Sequence, residues 1–280
     1  MASEWWCRSS LSPQQRLEVL NLLNRTEFEL GREAIDESRR RSVVHGWPAQ
    51  HWLHYDGSEL TKYAMSNTDD PVVVEMCGGD FDATLLEQLE RTHEVIDWWT
   101  RGPQSCAYES GEVTRMLEML RVVLPVVAVP VPPGAQLRNF ETHRDESEWL
   151  EQNNAAFFHH PEQGAWRQRD LDDRIREPWF DPSGFLLLEI GGRLAASCWT
   201  KVHELHPERF GEIYVVSVHP DFQGRHLGRV MVTQGLDVLS RKGVASAVLF
   251  VDESNEAAKE LYRSLGFRLE REDRLVRFRR

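Results

Sequence analysis

Cysteine is scarce in this chain: Cys7, Cys77, Cys106 and Cys198 are scattered with no C-x-x-C pair among them. That excludes a disulfide framework or a cysteine-built zinc site and fits a reducing compartment. Long apolar runs are absent too, none approaching the roughly 20 residues that a membrane span needs. The opening, MASEWWCRSS, has no basic stretch leading into an apolar core, so we expect no secretory signal and a cytoplasmic protein. Positive charge is in deficit, with 33 Lys and Arg against 45 Asp and Glu and a net charge of −12. This argues against nucleic acid or an anionic membrane as partner. A polyanionic ligand must then be held by local groups. What remains is an ordinary globular balance, 41% hydrophobic and 28% charged, over 280 residues, enough for two domains.

The chain's patterning supports that division. Ser12-Pro13 reads as a helix start for residues 11–40, with Leu17, Val19, Leu20, Leu22 and Leu23 near helical spacing and a second, charged helix around Glu37. Two strands follow across an Asp56-Gly57 turn, a third after Pro71, then Gly78-Gly79, and the segment 83–99 reads as a further helix. Residues 115–124 finish the first half. Pro130, Pro132 and Pro133 then fall within four residues and mark residues 126–134 as a linker between domains at 1–125 and 135–280. The second half repeats the order of the first. It runs a strand at 136–140, helices at 147–157 and 170–176, and a hairpin across Gly191-Gly192. A central strand at 213–218, a Gly-containing loop, a helix opening near Gly228, a strand at 248–251, a helix at 255–265 and a last strand at 267–278 complete it.

The candidate site lies in that central strand and loop, EIYVVSVHPDFQGRHLGR, from Glu212 to Arg229. A strand breaking through a Pro-marked turn into a glycine-containing loop at a helix start leaves backbone N–H groups pointing one way, which is an anion site. Arg225, His226 and Arg229 add local positive charge. Glu212 opens the strand, and a carboxylate there can deprotonate an incoming amine, whose ordinary pKa is about 7.7 to 8.0 for an α-amino group. His203, Glu204 and His206 lack the spacing of a zincin helix and precede Pro207, so we expect no metal.

The pattern Gln-x-x-x-x-Gly-Arg from Gln223 to Arg229 is similar to the pyrophosphate loop of the GNAT acetyltransferase superfamily. Longer strings resemble its tandem-domain mycothiol synthase branch: NNAAFFHHPEQGAW (153–166), WFDPSGFLL (179–187), WTKVH (199–203), LFVDESN (249–255) and LYRSLGF (261–267). The resemblance covers the second half and only the general order of the first. It implies an α/β fold of two tandem GNAT domains, a mixed sheet flanked by helices, the first domain degenerate and the second catalytic. The implied reaction is acetyl-CoA-dependent N-acetylation of the cysteine amine of cysteinyl-glucosaminyl-inositol, giving mycothiol, with acetyl-CoA the co-substrate and no metal.

Carried over by position, Glu212 matches the general base and Tyr262 the acid for the departing thiolate. Val216, Ser217 and Val218 match the strand that binds the thioester and pantetheine through its backbone. Gln223, Gly224, Arg225, His226, Leu227, Gly228 and Arg229 match the pyrophosphate loop, and Asn255, Glu256, Ala257, Ala258, Lys259 and Glu260 a further cofactor-contacting stretch. Glu37, Glu162, Lys201, Glu212 and Phe250 match substrate contacts, with Glu33 and Asp36 open alternatives to Glu37. Two positions depart from the pattern: His226 stands where the branch usually has glycine, and Phe250 where it often has tyrosine. The first half's loop, CGGDFDAT, is acidic, so we expect no productive acetyl-CoA binding there. A GNAT enzyme for another small amine or a peptide N-terminus, or a non-catalytic acyl-CoA-binding regulatory module, are the alternatives. A monomer is compatible with all of this, and the oligomeric state stays open.

Overall fold

A computed structural model of the chain describes residues 4–30, 33–101, 111–158, 164–204 and 209–280. In the first half these form β1 (Trp5–Arg8), α1 (Pro13–Leu30), α2 (Glu37–His45), β2 (Gln50–Asp56), β3 (Glu59–Ser66), β4 (Val72–Cys77), α3 (Ala83–Leu89), β5 (Val95–Arg101) and β6 (Glu112–Val123). The second half supplies β7 (Ala135–Asn139), α4 (Glu146–Ala156), α5 (Gln168–Ile175), β8 (Phe185–Ile190), β9 (Arg193–His203), β10 (Phe210–Val218), α6 (Leu227–Arg241), β11 (Ser246–Asp252), α7 (Glu256–Ser264) and β12 (Arg268–Arg279). The fold is α/β, a mixed sheet with helices packed on it.

Local chemistry explains most boundaries. Ser12 and Gln15 form a reciprocal cap at the start of α1, where Pro13 has no N–H to lose. Asp36 caps α2 by accepting from the Ser38 N–H, and Gly46, at φ 69°, ends it in the left-handed conformation that glycine takes without strain.

The segment 83–99 corrects the expected single helix. Helix stops at Leu89, and residues 95–101 are β5, held parallel to β4 on one side and antiparallel to β12 on the other. The reason is tertiary. Ile96 and Trp98 alternate into the core, while buried Asp97 accepts two hydrogen bonds at 2.7 Å from Arg277, a partner remote in sequence.

All twelve strands join one sheet in the order β1-β2-β3-β4-β5-β12-β6-β11-β10-β9-β8-β7. Each half lends its last strand to the other: β12 pairs with β5 and β6 with β11, and the two lent strands pair with each other in the middle. The cores follow the exchange. Leu120 and Val122 of β6 are buried with α6, β9 and β11, whereas Val276 and Phe278 of β12 are buried with Trp5, Trp98 and Leu85. Fully burying a side chain of this size contributes about 1.5–3 kcal/mol. The exchange is therefore part of the stability of both halves.

Candidate active site

β10 and β11 are parallel and in register only at Gly211 opposite Ala247 and Glu212 opposite Val248. Beyond that point they part, and a cleft of about 600 Å³ opens between Ile213 to Val216 on one strand and Leu249 to Asp252 on the other. A bulge in β10 between Ile213 and Val215 throws Tyr214 out of register with β9 and turns it to the cleft. α7 closes one side with Asn255, Ala258 and Tyr262, and the first half supplies Glu33, Asp36 and Glu37 opposite.

Glu212 lies at the point of divergence, only 8% exposed, and lines the cleft. Its Oε2 is 2.5 Å from His203 Nε2. In the β9–β10 ladder Glu212 stands directly opposite Lys201. The buried Lys201 ammonium donates to Glu33 Oε1 and Glu37 Oε2, each at 3.2 Å, and lies 5.0 Å from the Trp179 ring. Burial acts to lower the Lys201 pKa, but the carboxylates of Glu33, Glu37 and Glu212 outweigh it and hold the lysine above its ordinary range. Glu37 also accepts from Arg41 at 3.2 Å and from the Trp179 indole N–H at 3.0 Å. Asp36 is committed otherwise: its carboxylate caps α2, and its own N–H donates to Glu75 at 2.7 Å. Of the three acids left open by the sequence, Glu33 and Glu37 both reach Lys201.

Tyr262 is buried at the cleft wall, and among the described residues its hydroxyl has no hydrogen-bond partner. Burial, with a smaller contribution from nearby Cys198, pushes its pKa up to about 12, so it carries its proton at neutral pH. Phe250 is 41% exposed on the opposite wall, with the Arg271 guanidinium 5.8 Å from its ring.

Past the cleft, β10 continues through Ser217 and Val218 into a short helical turn and the loop at 223–229. The Ser217 hydroxyl is occupied by Ser197 at 2.9 Å and Gln152 at 3.0 Å, which leaves only its backbone for a ligand. Gly224 and His226 both take positive φ, 75° and 58°. His226 is thus a residue with a Cβ where the turn calls for glycine, and its side chain makes no capping bond to α6. Among the described residues the leading N–H groups of Leu227, Gly228 and Arg229 are left uncapped. Gln223, Gly224, Arg225 and His226 are exposed, Leu227 is buried, and Arg229 donates to Ser264.

In α7 the expected contacts divide. Asn255 and Ala258 face the cleft, while Glu256, Ala257 and Glu260 lie on the exposed side and Lys259 turns to Glu118 at 3.1 Å. Glu162 lies outside the described residues. No group of metal ligands forms among the described residues. Tyr214 and His203 were not picked out as site residues from sequence, yet the structure puts Tyr214 on the cleft wall and brings His203 to Glu212. The antiparallel pairing of WTKVH with the start of β10 is the signal that could have found His203.

Comparison with known proteins places this geometry. Residues 142–267 match the family described as Acetyltransferase (GNAT) family. The chain is 38% identical to the mycothiol acetyltransferase of Streptomyces coelicolor over 92% of this chain and 90% of that protein. It is 36% identical to that of Streptomyces griseus over 96% and 93%. Its fold is similar to that of a tandem GNAT protein from the clavulanic acid biosynthesis pathway, with a TM-score of 0.70 at 13% identity, covering 99% of this chain and 98% of the other.

Proposed function

This chain belongs to the mycothiol acetyltransferase family of GNAT enzymes, and from that premise we propose that it acetylates the cysteine amine of cysteinyl-glucosaminyl-inositol with acetyl-CoA to give mycothiol. The observation that carries the mechanism is the joint placement of Glu212 and Tyr262 in the cleft where β10 and β11 part. Glu212 takes a proton from the substrate ammonium, freeing the nitrogen to attack the thioester carbon. A backbone N–H of β10 near Val216 or Val218 holds the oxyanion that develops. Such a donor in other acyl transfers is worth about 10²–10³ in rate. Tyr262 gives its proton to the departing thiolate.

The remaining residues support substrate capture. Seven carboxylates line the cleft, Glu33, Glu37 and Glu212 among them, against five cations, which favours a cationic cysteine end. The uncapped start of α6 and the backbone at 223–229 suit a pyrophosphate. Asn255 and Ala258 are the α7 positions best placed for the co-substrate, and Phe250 adds an apolar contact for the acceptor.

We read 1–125 and 135–280 as two GNAT units joined by 126–134, with acetyl transfer confined to the second. In the first, the parallel strands β4 and β5 are joined by α3, only seven residues long, whose start is filled by the Asp82 carboxylate accepting from Thr84 and Leu85 N–H groups and bonded to Lys62 at 2.6 Å. No helix among the described residues is long and apolar enough to cross a membrane.

The test is release of free CoA from acetyl-CoA with cysteinyl-glucosaminyl-inositol, other small amines and peptide N-termini as acceptors. Preference for the first by k_cat/K_M supports the reading. Turnover only with the others selects a different acetyltransferase, and acyl-CoA binding without turnover selects a regulatory module. Glu212→Gln should lose roughly 10²-fold or more at neutral pH and recover part of it as rising pH deprotonates the amine without help. A wild-type rate and pH profile in that variant would remove Glu212 from the mechanism.

A further inference from the structure

His203 is buried beside Glu212 but does not line the cleft. It stands opposite Phe210 in the β9–β10 ladder, two positions from Glu212, so its ring reaches the carboxylate along the diagonal. The ring stacks on Phe210 with centroids 4.6 Å apart and planes at 12°, which fixes its orientation. Nε2 lies 2.5 Å from Glu212 Oε2, and Nδ1 lies 3.8 Å from Glu33 Oε1. An ionised carboxylate can only accept, so Nε2 carries the hydrogen of the short bond. One oxygen of Glu212 is thereby taken, and Oε1 is left to meet the substrate.

We propose that His203 is a positioning residue for Glu212: its Nε2–H clamps Oε2 and aims Oε1 at the incoming ammonium. The role rests on the reading of Glu212 as base and deepens it. The charged groups facing this ring are Glu212 across the ladder, Lys201 on its own strand, Glu33 from the first half and Arg121, whose guanidinium lies 5.1 Å from the other ring of the stack, Phe210. None of them replaces the short bond to Oε2, because among the described residues the ring nitrogen is that oxygen's one hydrogen-bond partner. A base that has lost this clamp keeps its charge but not its direction, and misplacement on the order of 1 Å is enough to cost about 10² in rate.

The experiment compares His203→Gln, His203→Asn and His203→Leu in steady-state kinetics, alone and combined with Glu212→Gln. Glutamine can place an amide N–H where Nε2 sits. Asparagine matches the nearer Nδ1 and falls short, so this pair of polar variants separates the bond from bulk packing even if the leucine variant fails to fold. The expected result is a k_cat reduced about 10- to 100-fold in His203→Leu and His203→Asn, with both K_M values within about twofold of wild type, and retention of at least about one third of k_cat in His203→Gln. In the Glu212→Gln background the same changes should alter k_cat by less than about twofold, since the group being aimed is gone. Equal rates for the Gln and Asn variants, a loss carried by K_M, or an undiminished loss in the Glu212→Gln background each overturns the proposal. Full activity of Glu212→Gln alone overturns the reading of the base itself, whereas an inactive Glu212→Gln with silent His203 variants overturns only the positioning role.

Discussion

Replacing Lys201 with methionine tests how the two halves are held around the site. The ammonium is buried, 3.2 Å from both Glu33 and Glu37, and methionine keeps the length of the stem while removing the charge. Breaking a buried pair by deleting one partner costs about 3–5 kcal/mol, because the other charge is left uncompensated. Here Glu37 keeps Arg41 at 3.2 Å, and the Glu33 side chain is 29% exposed and can recruit water, so the lower end, about 3 kcal/mol, is expected. At about 2–4 °C per kcal/mol for a chain somewhat smaller than this one, the melting temperature should fall by roughly 6–12 °C. The pH dependence has a definite sign. Burial would lower the lysine pKa, but the carboxylates of Glu33, Glu37 and Glu212 raise it overall. A raised folded value means the stabilisation is fully present below the ordinary lysine pKa of about 10.4 and is lost only as pH climbs through the raised value. Urea unfolding at pH 7 and pH 9 should therefore show the same gap between wild type and Lys201→Met. A gap under about 1 kcal/mol, as for an exposed pair, or one that closes by pH 9, would refute the reasoning.

Two further outcomes follow from the cleft's supports. Glu75→Ala should cost about 3–5 kcal/mol in urea unfolding, since buried Glu75 accepts from Arg39 at 2.8 Å, Arg101 at 2.6 Å and the Asp36 N–H at 2.7 Å; a change within about 0.5 kcal/mol would show that these groups find other partners. His226→Gly should raise stability by about 1 kcal/mol, because it relieves a side chain held at φ 58°, and should leave the K_M for acetyl-CoA within about threefold; a destabilised variant would mean that the exposed imidazole makes a contact outweighing the backbone strain.

Much of the second half could be read from local pattern. β10 alternates from Ile213 on, stops just before the turn at Pro220 and meets a glycine loop and an amphipathic helix, and each of those signals acts within a few residues. β5 failed that test because residues 83–99 contain no proline or glycine to stop a helix. The groups that make it a strand, β12 and Arg277 above all, come from the far end of the chain. β1, four residues long, owes its place to Trp5 packing in the first half's core, which periodicity cannot register. At the site, Glu212 was legible as a carboxylate the chemistry needs, whereas Tyr262 entered only through the resemblance of LYRSLGF. The choice among Glu33, Asp36 and Glu37 was not, because Asp36 differs from its neighbours only in capping α2 and donating its N–H to Glu75. His203 was visible as a histidine, but its meaning depends on the ladder register that brings it to Oε2.

The exchange of last strands bears on the chemistry as well as on stability. Glu33 and Glu37 reach Lys201 only if the first half is held at a fixed distance from β9, and three connections set that distance. β12 bonds to β5, β6 bonds to β11, and Glu75 ties the start of α2 to Arg101 on β5, which in turn faces Asp273 of β12 at 4.0 Å. A hinge between two separately closed sheets would leave the acids free to drift from the lysine. A sheet with the lent strands at its centre resists that, because any opening must break the β6–β12 ladder and expose Leu120, Val122, Val276 and Phe278 from both cores. The first half is thus the wall that carries Glu33 and Glu37 to Lys201 on β9. Cutting the chain at the proline-rich segment would remove β6 from beside β11 and β5 from beside β12, unmaking the second core together with the wall.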